Sequence, residues 1–158
     1  MKISGLNTLK FIADVHLGKL ARNLRLLGFD TYFENNIDDN EIINIALSEK
    51  RIILSRDKQL LNNNRITNGY RISSSDPREQ IREVVVRFDL INNLKPFSRC
   101  MDCNGLIETV SKESVNEYLP QKTRQYYEEF FRCQVCGKIY WEGSHYDNMK
   151  KQIQNLLG

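Results

Sequence analysis

A chain of 158 residues, 41% of them hydrophobic, has room for one ordinary domain plus a small appendage and enough apolar material for a core. Charged residues make up 27%, and no apolar run approaches the roughly 20 residues of a membrane helix; Met1 to Lys10 also lack the apolar core and small-residue cleavage site of a secretory signal, so a soluble, cytoplasmic protein is expected. The formal charge of +3 lies wholly in the first part: Met1–Lys95 holds 15 Lys+Arg against 12 Asp+Glu, and Pro96–Gly158 holds 8 against 8. A modest cationic excess there suits a polyanion, although many proteins carry as much without binding one.

Leu9-Lys10-Phe11-Ile12-Ala13 runs into Asp14 and reads as a short buried strand ending in an acid. Apolar residues at 17, 20, 21, 24 and 27 then mark a helix closed by Gly28, with Lys19, Arg22, Asn23 and Arg25 off the stripe. A strand is predicted at Thr31–Phe33. Asp38-Asp39-Asn40-Glu41 opens a second helix to about Glu49, with Asp39 as its expected cap and Ile42, Ile43, Ala46 and Leu47 facing inward. Ile52-Ile53-Leu54-Ser55 is a second buried strand delivering an acid, Asp57, to its end. A helical turn at Lys58–Leu61, a strand at Tyr70–Ile72, and a helix from Asp76-Pro77-Arg78-Glu79 with Ile81, Val84, Val85 and Phe88 inside complete the first domain. This order implies an α/β domain with a parallel sheet over residues 1–92.

Residues 93–98, with Asn93 and Pro96, read as a linker. The second domain, 99–158, is expected to hold a helix at about Ser111–Leu119, an aromatic stretch around Tyr126-Tyr127 and Phe130-Phe131, a strand at Gly137–Trp141 and a closing helix at Tyr146–Leu157. It contains all four cysteines, as Cys100-Met-Asp-Cys103 and Cys133-Gln-Val-Cys136. Two such turns supply the tetrahedral four-sulfur shell that zinc prefers, and a closed shell makes the zinc structural. The 29 residues between the pairs exceed the usual spacing of about 15 to 20, so an insertion is expected. Two disulfides are disfavoured in a reducing cytoplasm, and a redox dithiol needs no second pair.

Parallel strands place their carboxyl ends at the crevice where ligands bind. Asp14 and Asp57 end strands, and Asp39 starts a helix over the same edge. Converging carboxylates require a cation, and hard oxygen ligands suit Mg²⁺ or Mn²⁺, which support hydrolysis of a phosphodiester. Each residue also has a plainer reading: Asp39 and Asp57 as helix caps, and Glu41 as the inward acid in place of Asp39. Arg22, Arg25 and Arg56 are candidates for phosphate contacts, since a guanidinium grips phosphate at two points; a solvated helix face explains the first two equally well. Tyr140, Trp141 and Tyr146 are suited either to stacking on unpaired bases or to forming the small domain's core. His16, two residues after Asp14, reads as a loop or capping histidine with a substrate contact as the alternative, and His145 as a hydrogen-bonding or RNA-contacting residue, with replacement of a zinc ligand as the alternative.

Phe11-Ile-Ala-Asp14, Leu17-Gly-Lys-Leu-Ala-Arg22-x-Leu-Arg25-x-Leu-Gly28, Asp39-x-x-Ile42, Arg51-Ile-Ile-Leu-Ser-Arg-Asp57, Glu79-Gln80, Ser98-Arg-Cys-x-x-Cys-Asn104 and Tyr140-Trp-x-Gly-Ser-His-Tyr146 together resemble the Mut-seven C-terminal ribonuclease family. The resemblance implies a PIN-like three-layer α/β domain followed by a C-terminal zinc ribbon. It also implies divalent-metal-dependent cleavage of single-stranded or structured RNA, with Asp14, Asp39 and Asp57 as the acidic set, which favours Asp39 over Glu41. Ser55 stands where the family usually has Thr, and the hydroxyl is kept. The rival expectations are a non-catalytic RNA-binding protein and a metal-dependent phosphatase or nucleotide hydrolase.

Overall fold

The computed structural model describes residues 9–157; the side chains of Ser144, His145, Leu156 and Leu157, and with them the expectation for His145, fall outside that description. Four short strands, β1 (Phe11–Ala13), β2 (Thr31–Tyr32), β3 (Ile52–Ser55) and β4 (Gly69–Arg71), form one sheet in the order β2-β1-β3-β4, and every pairing is parallel. The helices are α1 (Gly18–Leu26), α2 (Asp39–Glu49), the single turn α3 (Lys58–Leu61) and α4 (Pro77–Arg87).

Alternation along the strands separates two cores. Phe11, Ala13, Ile52 and Leu54 pack with Leu20 and Leu24 of α1 and Ile81, Val84 and Val85 of α4. Ile12 and Ile53 face the other way, onto Ile42, Ile43 and Ala46 of α2 and Leu60 of α3. The central strands β1 and β3 are thus buried on both faces, which is why they read as continuous apolar runs. Leu47, expected inside, is 42% exposed.

Helix α1 ends in paired bonds from Phe29 N–H to Leu24 O and from Gly28 N–H to Arg25 O, both 2.9 Å, the arrangement that needs a left-handed residue at Gly28 (φ +100°). Lys95 lies against the same turn, its N–H donating to Leu27 O at 2.9 Å. A β-carbon on Gly28 would meet Lys95 O at 2.3 Å, so glycine is required twice over.

Residues 93–98 join the two parts as a packed segment: the Phe97 ring stacks at 5.1 Å on Phe131 and lies 4.5 Å from Tyr146. Beyond it, β5 (Ile107–Val110), β6 (Phe130–Cys133) and β7 (Ile139–Tyr140) form an antiparallel sheet in that order. The insertion between β5 and β6 carries α5 (Lys112–Val115), a 3₁₀ turn and α6 (Gln121–Tyr126); α7 (Ser144–Leu157) follows β7. Tyr140, Tyr146, Met149 and Ile153 extend the core beside α1. Among the described residues no helix is long and apolar enough to cross a membrane.

Candidate functional site

Adjacent parallel strands β1 and β3 bring their C-terminal ends side by side, Ala13 opposite Leu54. Asp14 follows β1, with its N–H bonded to Leu54 O at 3.1 Å and only 7% of its surface exposed. Its carboxylate is held at both oxygens: Oδ1 accepts the His16 N–H at 2.9 Å, and Oδ2 accepts the hydroxyl of Ser55. The Ser55 Oγ in turn accepts the Asp57 N–H at 2.9 Å. One buried hydroxyl therefore connects the two strand-end aspartates. The Asp57 side chain is exposed and caps α3 by accepting the Gln59 N–H at 2.8 Å through Oδ1.

Asp39 is the first residue of α2 and is exposed; the cap is Asp38, which accepts the Glu41 N–H at 2.8 Å. The expectation that Asp39 caps this helix is corrected, and its carboxylate is released from that role. It remains separate from the Asp14–Ser55–Asp57 link. Among the described residues, only the four cysteines gather three or more ligand atoms within 4.8 Å of one another, so the aspartates do not form a ready cage for one ion.

The four thiols are free. Cys100 Sγ lies 3.6 Å from Cys136 Sγ, and Cys103 Sγ 3.4 Å from Cys133 Sγ. A disulfide would bring sulfurs to about 2.05 Å. Four thiolates around zinc at about 2.3 Å lie about 3.8 Å apart, so the spacing fits an ion. Backbone N–H groups of Gly105, Val135 and Cys136 point at sulfur, each at 3.4 Å. The Tyr140 hydroxyl accepts the Met101 N–H at 3.1 Å and lies within hydrogen-bond reach of Cys100 Sγ, at 2.9 Å. Residues after each pair, Asn104 (φ 69°) and Gly137 (φ +81°), take the left-handed conformation that turns the chain away from the sulfurs.

Asn104 has a second task that the sequence did not disclose. Its amide donates to Asp30 Oδ1 at 2.7 Å while its carbonyl accepts the Thr31 N–H at 3.1 Å, fastening the cysteine turn to the edge strand β2. Burial alone would push the Asp30 carboxyl up, but hydrogen bonds from Arg51 and Asn104 outweigh it and hold the group below the usual carboxylate range.

Of the three arginines expected on phosphate, Arg25 is corrected. It is 4% exposed, with Nε on Thr31 O at 2.8 Å and Nη1 on Met101 O at 2.9 Å, so it clamps the cysteine lobe to β2. Arg22 is half exposed and pairs with Asp102 at 2.5 Å; Asp102 also takes Lys138 Nζ at 2.7 Å. Arg56 is exposed beside the acidic edge, its carbonyl accepting from Arg71.

Residues 9–153 match the Mut7-C RNAse domain. The chain belongs to that family. The match takes in both the parallel sheet and the four cysteines, so in this Mut7-C RNAse domain the cysteine lobe is part of the family's unit. At the level of the family the role is that of a nuclease and the substrate is RNA. No curated protein and no solved structure gives a match.

Proposed function

We propose that this Mut7-C RNAse domain is a divalent-metal-dependent ribonuclease with a PIN-like fold and a structural zinc ribbon, working in the cytoplasm. The observation that carries the reading is the coupling of Asp14 and Asp57 through Ser55 at the ends of two adjacent parallel strands. A buried carboxylate held at a fixed orientation is costly without a task.

The residues suit Mg²⁺ or Mn²⁺, which bind through one or two carboxylates with waters and substrate phosphate completing the shell. Asp14 and Asp57 are the residues that would hold the ion, with Asp39, exposed at the start of α2, as the third acid of the set. A divalent ion held there would supply charge neutralisation at the phosphoryl oxygens and a lowered pKa for water. The chain's own residues do the rest. Ser55 fixes the Asp14 carboxylate and the Asp57 backbone, and Arg22 and Arg56 hold the RNA backbone. Four cysteines close the zinc shell, leaving no open position for chemistry there.

Among the described residues the three aspartates do not bring their carboxylate oxygens within 4.8 Å of one another, and this favours one rival, an RNA-binding protein that does not cut. Zinc-loaded protein incubated with single-stranded and structured RNA plus Mn²⁺, beside Asp14→Asn, distinguishes the two. Cleavage lost in the variant supports the nuclease; RNA binding without cleavage supports the rival.

A further inference from the structure

The zinc-ribbon lobe carries a cleft of about 440 Å³ that the acidic site does not use. This is the size of a small-molecule pocket, and its walls are strongly aromatic: Phe97, Tyr127, Tyr140, Trp141 and Tyr146. Phe97, Tyr140 and Tyr146 are buried in the wall, whereas Tyr127 and Trp141 are partly open to the cleft. Thr123, a buried polar residue, lies in the same lining. The rim holds a cation, Lys138.

Lys138 links this cleft to the nuclease lobe. Its ammonium lies 2.7 Å from Asp102 Oδ2, and Asp102 Oδ1 lies 2.5 Å from Arg22. Arg22 lines a second groove, of about 410 Å³, together with Lys19 and Arg78. Lys19 and Arg22 both stand on α1, which starts four residues after Asp14 and ends at Leu26 in the wall of the aromatic cleft. Nine residues of helix cover about 12 Å, so one short element spans the way from the acidic edge to the cleft. Cations along it suit a phosphate backbone, and rings at its end suit an unstacked base.

We infer that the cleft between Tyr127 and Trp141 receives an unpaired nucleobase of RNA whose backbone runs along Lys19, Arg22 and Lys138 to the acidic edge. The inference rests on the ribonuclease reading for its ligand. It makes single-stranded RNA the preferred substrate, with the base captured by stacking and no sequence readout required.

Trp141 is the protein's single tryptophan, so its fluorescence reports the cleft directly. Full-length zinc-loaded protein, with no Mg²⁺ or Mn²⁺ added, is titrated with a single-stranded RNA oligomer and with an abasic oligomer of the same length. Expected are quenching by the base-bearing RNA only, and an affinity for it that falls about 5- to 100-fold in Tyr127→Ala, with affinity for the abasic oligomer unchanged. Trp141→Phe should retain binding; Tyr127→Ala keeps the reporter but removes a partly buried ring, so its melting temperature beside that of wild type separates lost stacking from lost folding. Cleavage of RNA in parallel Mn²⁺ assays without quenching, and with Tyr127→Ala binding like wild type, overturns the base cleft and leaves the nuclease standing. Quenching without cleavage keeps the cleft and sinks the nuclease. Neither binding nor cleavage overturns both.

Discussion

The Ser55 hydroxyl joins Asp14 to Asp57, donating to Asp14 Oδ2 and accepting the Asp57 N–H at 2.9 Å. Ser55 is fully buried at the end of β3. Removing the hydroxyl leaves a buried carboxylate oxygen and an N–H each short of a partner. Ser55→Ala should cost about 1–3 kcal/mol of stability and lower RNA cleavage about 10- to 100-fold. Ser55→Thr should retain most of both. Single-turnover cleavage and urea unfolding of the two variants provide the check, and an Ala variant as active as wild type contradicts the positioning role.

Arg25 is a clamp and not a phosphate ligand. Arg25→Met strips donors from two carbonyls in the joint, Thr31 O and Met101 O, and should cost about 1–3 kcal/mol while leaving the salt dependence of RNA binding as it was. Arg56→Ala should do the opposite, leaving stability alone and flattening the slope of log affinity against log salt by about one. Filter binding across a salt series separates the two.

Gly28 sits at φ +100° with Lys95 O in the place a β-carbon would occupy. Gly28→Ala must move the α1 turn or the joining segment, and a loss of at least about 2 kcal/mol in urea unfolding is expected. An unchanged midpoint would show that this contact is soft.

Zinc should be bound one per chain and be needed for the second sheet. Chelation, or Cys136→Ser, is expected to abolish stoichiometric zinc and lower the melting temperature by several degrees. Retained melting behaviour in a strong chelator would argue against a structural ion.

Acid stability follows from Asp30 and Glu83. Burial alone would raise each carboxyl, but Arg51 and Asn104 hold Asp30 below its ordinary range, and Tyr70 and Ser73 do the same for Glu83. A carboxyl depressed in the folded state contributes stability that is fully present above its unfolded value, near 4, and is lost as pH falls through the lower folded value. Unfolding free energy should therefore decline below about pH 4, and Asp30→Asn should flatten that decline. Denaturant curves between about pH 2 and 7 test the sign.

The parallel sheet was readable because its central strands β1 and β3 are buried on both faces and stand out as apolar runs, and because α1 and α4 carry clean stripes. Asp14 was readable for the converse reason, as an acid where apolar residues should continue. The adjacent acids Asp38 and Asp39 offered the cap equally, and only geometry separates them. Strands β5 and β6 escaped notice because Ile107 pairs with Cys133 across the whole insertion and β5 is only half-buried. Helix α6 buries Thr123 alone and so shows no stripe. Arg25 looked solvated because periodicity registers apolar faces, whereas the surface that covers it is contributed by the cysteine turn at Met101. Asn104, after the second cysteine, could have been flagged as a left-handed turn residue, but nothing local announced its bond to Thr31.

Single-turnover RNA cleavage as a function of Mn²⁺ concentration, for wild type and Asp14→Asn matched in zinc content and melting temperature, tests the metal-dependent nuclease most directly. Saturable, Mn²⁺-dependent cleavage by wild type and a loss of at least about 100-fold in the variant are the predicted result. Equal cleavage by both, or cleavage indifferent to the metal, would contradict it.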